Sequence, residues 1–148
     1  MTAAQTQFEV FKNSKQKVDF KILEAFFDTL PEITNIEILG EWKGGYITSG
    51  SVIDLSLKNY GFYGWIGKHY AGENKVKALM HQFFGLKFNF PVIGNARIRE
   101  IRFRGKVSTG MIYNHLPIID HFRRVDENTL MGAMDLKGKI VLYFYLYK

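Results

Sequence analysis

The chain has no cysteine, which rules out a disulfide frame and any thiolate metal site and fits a reducing, cytoplasmic compartment. Nowhere do the ~18 uninterrupted apolar residues of a membrane-spanning helix occur, so no membrane partner is expected. The opening "MTAAQTQFEVFKNSKQK" lacks the charged start and apolar run of a secretory signal. No internal repeat or linker interrupts the chain, and its 148 residues suit one domain spanning 1–148. Also missing are a Walker loop, a dinucleotide-binding glycine fingerprint and a Ser-His-Asp pattern; "GGYITSG" has neither the lysine nor the strand-to-helix setting. The four histidines, His69, His81, His115 and His121, show no zinc-site spacing, so neither metal nor cofactor is expected.

What is abundant is ring surface. Phe, Tyr and Trp make up 16% of the residues, enough to pack a core or line an apolar cavity. Hydrophobic residues reach 47%, which excludes a disordered chain. A net charge of +6 raises the question of nucleic acid. The densest basic stretch, Arg97–Lys106, alternates with apolar residues, is broken by Glu100, and has Phe103 as its sole ring. That is a polar strand face, and nucleic acid is disfavoured as a partner.

One helical pattern stands out early. Val18, Ile22, Phe26 and Leu30 recur at four-residue spacing, with Leu23 and Phe27 widening the stripe. The pattern predicts a helix over Lys15–Leu30, capped by Ser14 and stopped by Pro31, with Phe8, Val10 and Phe11 packing just before it. Ile33–Leu39 switches to period two and predicts a strand leading into "GEWKGG". A short helix is expected over Val52–Leu57. From Phe83 onward the text is β, with "DEN" and "DLKG" as turns. The last strand alternates most clearly, with Ile140, Leu142, Phe144 and Leu146 on one face and Val141, Tyr143, Tyr145 and Tyr147 on the other. Strands about ten residues apart, carrying glycines, predict a mainly β (α+β) fold. Its form is a small antiparallel barrel or strongly curved sheet, calycin- or lipocalin-like, with one N-terminal helix and a short helix after the tryptophan strand.

Gly40-Glu41-Trp42-Lys43-Gly44 puts a large ring between two glycines on one strand face. Such a ring plugs one end of a closing barrel, with a cation stacked on it. "GEWKGG" with "YGFYGWIGKHY" resembles the GXWXG domain family, and "MIYNHLPIIDHFRRVDENTLMGAMD" with "LYFYLYK" resembles the domain of uncharacterised function that accompanies it. The resemblance covers about Leu30–Lys148, as a GXWXG segment near 30–70 and a C-terminal segment near 83–148 completing the same barrel. It implies a small β-rich protein and no particular activity. Asn114 stands where similar proteins often have Asp, and His69 where they often have Arg. The glycine–tryptophan signature is also reminiscent of lipocalin-like and nitrobindin-like barrels, by fold analogy alone. A haem held as in the latter would need a histidine where the last strand has tyrosines.

The stretch "IYNHLPIIDHFRRVD" holds the candidate chemistry. Alternation puts Ile118, Asp120, Phe122 and Arg124 on one face, and a carboxylate there needs a partner. Either Asp120 and an arginine tie two strands together, or Asp120 sits in a cavity as a head-group ligand or base. In the second case His121, His115 and Tyr113 are the accompanying acid/base candidates, while Trp42, Trp65, Arg102, Phe122, Arg124, Met134 and Phe144 would line the ligand. The tyrosines of the last strand are either cavity hydroxyls or an outer face that leaves a homodimer open. The leading expectation is a barrel that binds a small hydrophobic ligand, its polar end held by Asp120 and an arginine. The alternative is a barrel enzyme acting on a bulky apolar substrate, an isomerase, cyclase, lyase or hydrolase.

Overall fold

The computed structural model describes residues 1–50, 67–79, 81–83, 86–88 and 95–148. Helices α1 (Ala3–Lys12) and α2 (Phe20–Thr29) precede strand β1 (Gly40–Tyr46). Then come β2 (Gly67–Gly72), β3 (Lys75–Leu79) and a small hairpin of β4 (His81–Phe83) and β5 (Leu86–Phe88). The rest is strand after strand: β6 (Asn95–Phe103), β7 (Lys106–Tyr113), β8 (Ile118–Asp126), β9 (Thr129–Leu136) and β10 (Lys139–Tyr147). Eight of these close an antiparallel barrel in the order β1-β10-β9-β8-β7-β6-β3-β2, with the β4–β5 hairpin outside it. Apart from that hairpin, each barrel strand pairs with its neighbour in sequence, and β10 closes back onto β1. Closure leaves the barrel itself no sheet edge to template aggregation. The fold is the mainly β barrel that the strand spacing predicts.

The N-terminal region holds two helices where the sequence predicts one from Lys15. Thr2 and Gln5 form a reciprocal capping box that starts α1, and Phe8 and Phe11 on it are buried while Val10 is exposed. Ser14 is not a cap; its hydroxyl closes a local turn with Gln16. Val18 N–H donates to Thr48 C=O, which holds the approach to α2 extended, and Asp19 is the cap. The helix therefore starts five residues late, and Ile22 faces solvent while Leu23, Phe26 and Phe27 are buried.

The expected strand at Ile33–Leu39 is instead a pair of turns, closed by Glu37 N–H to Thr34 C=O and Leu39 N–H to Ile36 C=O. A tertiary contact overrides the period-two pattern. Pro31 and Ile33 wedge between β7 and β8: Arg124 N–H donates to Pro31 C=O and Thr109 N–H to Ile33 C=O. Ile33 and Ile38 thereby enter the barrel interior, while Ile36 stays outside, exposed. The segment plugs one mouth of the barrel.

Two apolar layers result. Inside lie Trp42, Tyr70, Met111, Phe122 and Phe144, with residues from every other barrel strand. Outside, the helices lay Phe8, Leu23 and Phe27 against Met131, Ala133 and Tyr143 of β9 and β10. Each fully buried side chain of this kind contributes roughly 1.5–3 kcal/mol. The predicted faces of β10 hold for Leu142, Phe144 and Leu146 but not for Ile140. A bulge between Ile140 and Leu142 turns Ile140 to the outer layer. The tyrosine row of β10 is on the outer face of the barrel, and the helices cover its first two members. Tyr143 is buried under Phe20 and Phe27, and Phe8 packs edge-on against Tyr145. The short helix expected at Val52–Leu57 lies outside the described residues.

Candidate functional site

The glycine–tryptophan strand sets the interior geometry. Trp42 is buried, its ring N–H donates to Ile38 C=O at 2.7 Å, and Lys148 Nζ sits 4.4 Å from its ring centre. Its polar group is thus used up in holding the plug, and the tryptophan serves as architecture. Directly across from Trp42 on β2 stands Lys68. A Cβ on the preceding Gly67 would fall 1.8 Å from Trp42 C=O, so only glycine allows the two strands to approach there.

Lys68 points into the lumen and is buried at 1% exposure, as is Asp120. Their strands, β2 and β8, stand four places apart in a ring of eight, so the Lys68–Asp120 ion pair crosses the barrel. The pair is among rings. Lys68 Nζ is 4.7 Å from the centre of Phe144 and 5.5 Å from those of Phe122 and Tyr113. Phe122 and Phe144 meet edge to face, at 5.7 Å. Both flank Gly132, where a Cβ would collide with the Phe144 ring at 2.3 Å. Tyr113 O–H donates to Asp120 Oδ2 at 3.3 Å and accepts from Lys68 at 3.5 Å. Tyr70, two residues beyond Lys68 on the same face, packs edge-on against Phe122.

Burial pulls the Lys68 ammonium down from its usual pKa, and Asp120 opposes it. Burial raises the Tyr70 and Tyr113 hydroxyls well above the usual tyrosine range, with Asp120 adding to both. Both tyrosines are therefore neutral hydrogen-bonding groups. Two buried side-chain atoms in this cluster have no hydrogen-bond partner among the described residues, Asp120 Oδ1 and Tyr70 Oη.

The predicted site residues divide sharply. Asp120, Tyr113, Phe122 and Phe144 come together, with Met134 packed at the edge of the same cluster. The cation on Asp120 is Lys68 and not an arginine. Arg124 shares the face of Asp120 and Phe122, but lies toward the plugged mouth and pairs with Glu37. Arg102 is exposed, on β6 beyond the interior cluster. His121 faces outward, as strict alternation from Asp120 requires. It stacks on Phe103 at 3.8 Å and hydrogen-bonds to Asp135 at 3.1 Å. His115 is exposed in the β7–β8 turn, so neither histidine joins the site. Trp65 lies outside the described residues. Among those residues no His, Asp and Glu cluster suits a metal ion. A separate open cleft of about 430 Å³, lined by Thr34, Asn35, Ile36, Glu73 and Glu100, contains none of the lumen groups.

Sequence reasoning missed Lys68 and Tyr70 as site residues. The signal was present in "GKHY", where a lysine and a tyrosine alternate on one strand face, but only closure of the barrel shows that face to be the inside.

Fold and lumen define an up-and-down eight-stranded barrel with an ion pair buried among aromatic rings. Residues 25–83 match the family described as GXWXG protein, and residues 94–148 match a domain of unknown function, DUF4334. A crystal structure of a protein from Thermomonospora curvata is similar over 99% of both chains, with 34% identity and a TM-score of 0.85. The chain belongs to the GXWXG family with its DUF4334 partner segment. The first segment supplies β1, β2 and β3 and the second β6 to β10, so the Lys68–Asp120 pair joins the two. No curated protein matches the chain.

Proposed function

We propose that this protein binds a small, largely apolar molecule in the barrel lumen, its polar end held at Lys68, Asp120, Tyr113 and Tyr70. The observation that carries the reading is the ion pair itself. A buried pair set in an aromatic interior is often no better for stability than apolar residues of the same volume, so stability alone does not account for it. Aromatic walls with a few convergent polar groups are what a small-molecule site needs. A cytoplasmic setting fits the lack of cysteine, and among the described residues no helix is long and apolar enough to cross a membrane.

Native mass spectrometry of freshly purified protein, with organic extraction of what it retains, tests the proposal. An apolar molecule should co-purify, and Asp120→Asn should lower its occupancy. Protein that comes out empty and takes up no apolar probe would sink the binding reading.

A second reading, an isomerase, cyclase, lyase or hydrolase of the same substrate class, rests on the Tyr113–Asp120 contact. A tyrosine hydroxyl beside a carboxylate can pass a proton at the ligand's polar end. Turnover of the extracted class that is lost in Tyr113→Phe, with binding retained, would favour the enzyme over the carrier.

A further inference from the structure

We infer that the group recognised in the lumen is an uncharged hydroxyl, donating to Asp120 Oδ1 and accepting from the Tyr70 O–H. The inference rests on the binding reading above and adds the chemical class of the ligand's head.

The charge inventory comes first. Lys68 and Asp120 cancel, and Tyr113 bonds to both of them. An anionic head would meet the Asp120 carboxylate with the lysine charge already engaged there. A cationic head would meet Lys68. Either adds a second, unbalanced charge to a lumen of aromatic rings, which is costly to desolvate.

The hydrogen-bond inventory then selects among neutral heads. Asp120 Oδ1 and Tyr70 Oη lack partners, and both residues are 1% exposed. The ionised carboxylate can only accept, so its partner must donate. Tyr70 offers an O–H that needs an acceptor. Both residues face the lumen, Tyr70 on the same side of β2 as Lys68, which holds the other oxygen of Asp120. A hydroxyl is the smallest neutral group that donates and accepts at one atom. An aldehyde, ketone or ether satisfies Tyr70 alone and leaves Asp120 Oδ1 buried without a donor. Burial also keeps Tyr70 protonated across the ordinary pH range, so its donor is always present.

The test uses four probes on one flexible ten-carbon chain, which adapts to the lumen's shape: 1-decanol, decyl methyl ether, decanal and decanoate. Isothermal titration calorimetry on the purified chain at pH 7 should show 1-decanol binding about ten-fold tighter than the ether or aldehyde, and decanoate weakest. Tyr70→Phe removes one hydroxyl and little volume, and should weaken the alcohol, ether and aldehyde alike, several-fold, while the preference for decanol, set by donation to Asp120 Oδ1, holds. Asp120→Asn brings an amide donor and should shift preference toward the ether and aldehyde. If all four probes bind alike, or decanoate binds tightest, the hydroxyl inference is overturned while the binding reading survives. If none binds to protein that circular dichroism shows to be folded, both fall.

Discussion

Among the described residues the barrel wall buries two cations, Lys68 and Arg123, one on each side, and they are satisfied in opposite ways. Arg123, on the outer face of β8, is 1% exposed and lies among the helices. Its guanidinium donates to Phe103 C=O at 2.7 Å and Leu30 C=O at 3.4 Å, and sits 4.9 Å from the Phe27 ring centre. Backbone carbonyls and a ring hold it, so its role is to fasten α2 and the β6–β7 turn to the wall. Lys68, on the inner face, is paired with a carboxylate from across the lumen and donates to Tyr113 as well, and that carboxylate keeps an oxygen unpaired. A cation held by main chain is part of the scaffold. One held by a side chain with bonding capacity to spare has the means to serve a ligand.

The largest effect should come from breaking the inner pair on one side. Asp120→Leu strands the Lys68 charge in the lumen and should destabilise the fold by about 3–5 kcal/mol in urea unfolding. Adding Lys68→Met should restore most of that stability while abolishing ligand retention. If Asp120→Leu alone is neutral, the pair is not buried as described. Next comes Arg123→Met, which removes the guanidinium donor from Phe103 C=O and leaves Leu30 C=O with Lys106 alone, and should cost about 2 kcal/mol. Ligand occupancy should stay unchanged there, and a loss of occupancy would erase the contrast between the two faces.

A pH effect should follow from the outer wall as well. Burial holds His121 below the usual histidine pKa, although Asp135 opposes the shift. The unfolded chain, with histidine near 6.5, therefore takes up this proton first as pH falls. The resulting stability is fully present above about pH 6.5 and lost progressively below it. A urea series from pH 7.5 to 5 should show that decline, and His121→Gln should flatten it. The smallest effect is at the surface. Arg104 grips Asp28 with two hydrogen bonds of 2.6 and 2.7 Å, but both side chains are about a third exposed. Asp28→Asn should cost no more than about 1 kcal/mol, less in high salt.

Much of this molecule was legible as pattern. Alternation in β8 placed Asp120 and Phe122 on one face, and Phe144 with Leu142 and Leu146 on another, and both faces proved to be inside. Tyr113 was named with His121 and His115 as a candidate companion of Asp120 from the same stretch of sequence, and of the three it alone meets Asp120 in the lumen. Errors arose where a local pattern met a distant partner. Ile33–Leu39 alternates like a strand, but β7 and β8 recruit its backbone as a wedge. Ile140 follows its neighbours' period, but a bulge reverses it. The reading from Asp120 to Arg124 failed because nearness in sequence stood in for nearness in space.

By itself, then, the sequence determined the local terms: period-two strands, turn residues, a ring-rich composition and a glycine–tryptophan strand, which together call for a small barrel or strongly curved sheet. Those follow from backbone sterics and side-chain alternation, which act over a few residues. Tertiary structure alone decided which face became the lumen and which cation met Asp120. Lys68 is 52 residues away along the chain and opposite it around the ring. Only closure brings those strands face to face, because where a long-range pair meets depends on strand order and register around the whole barrel.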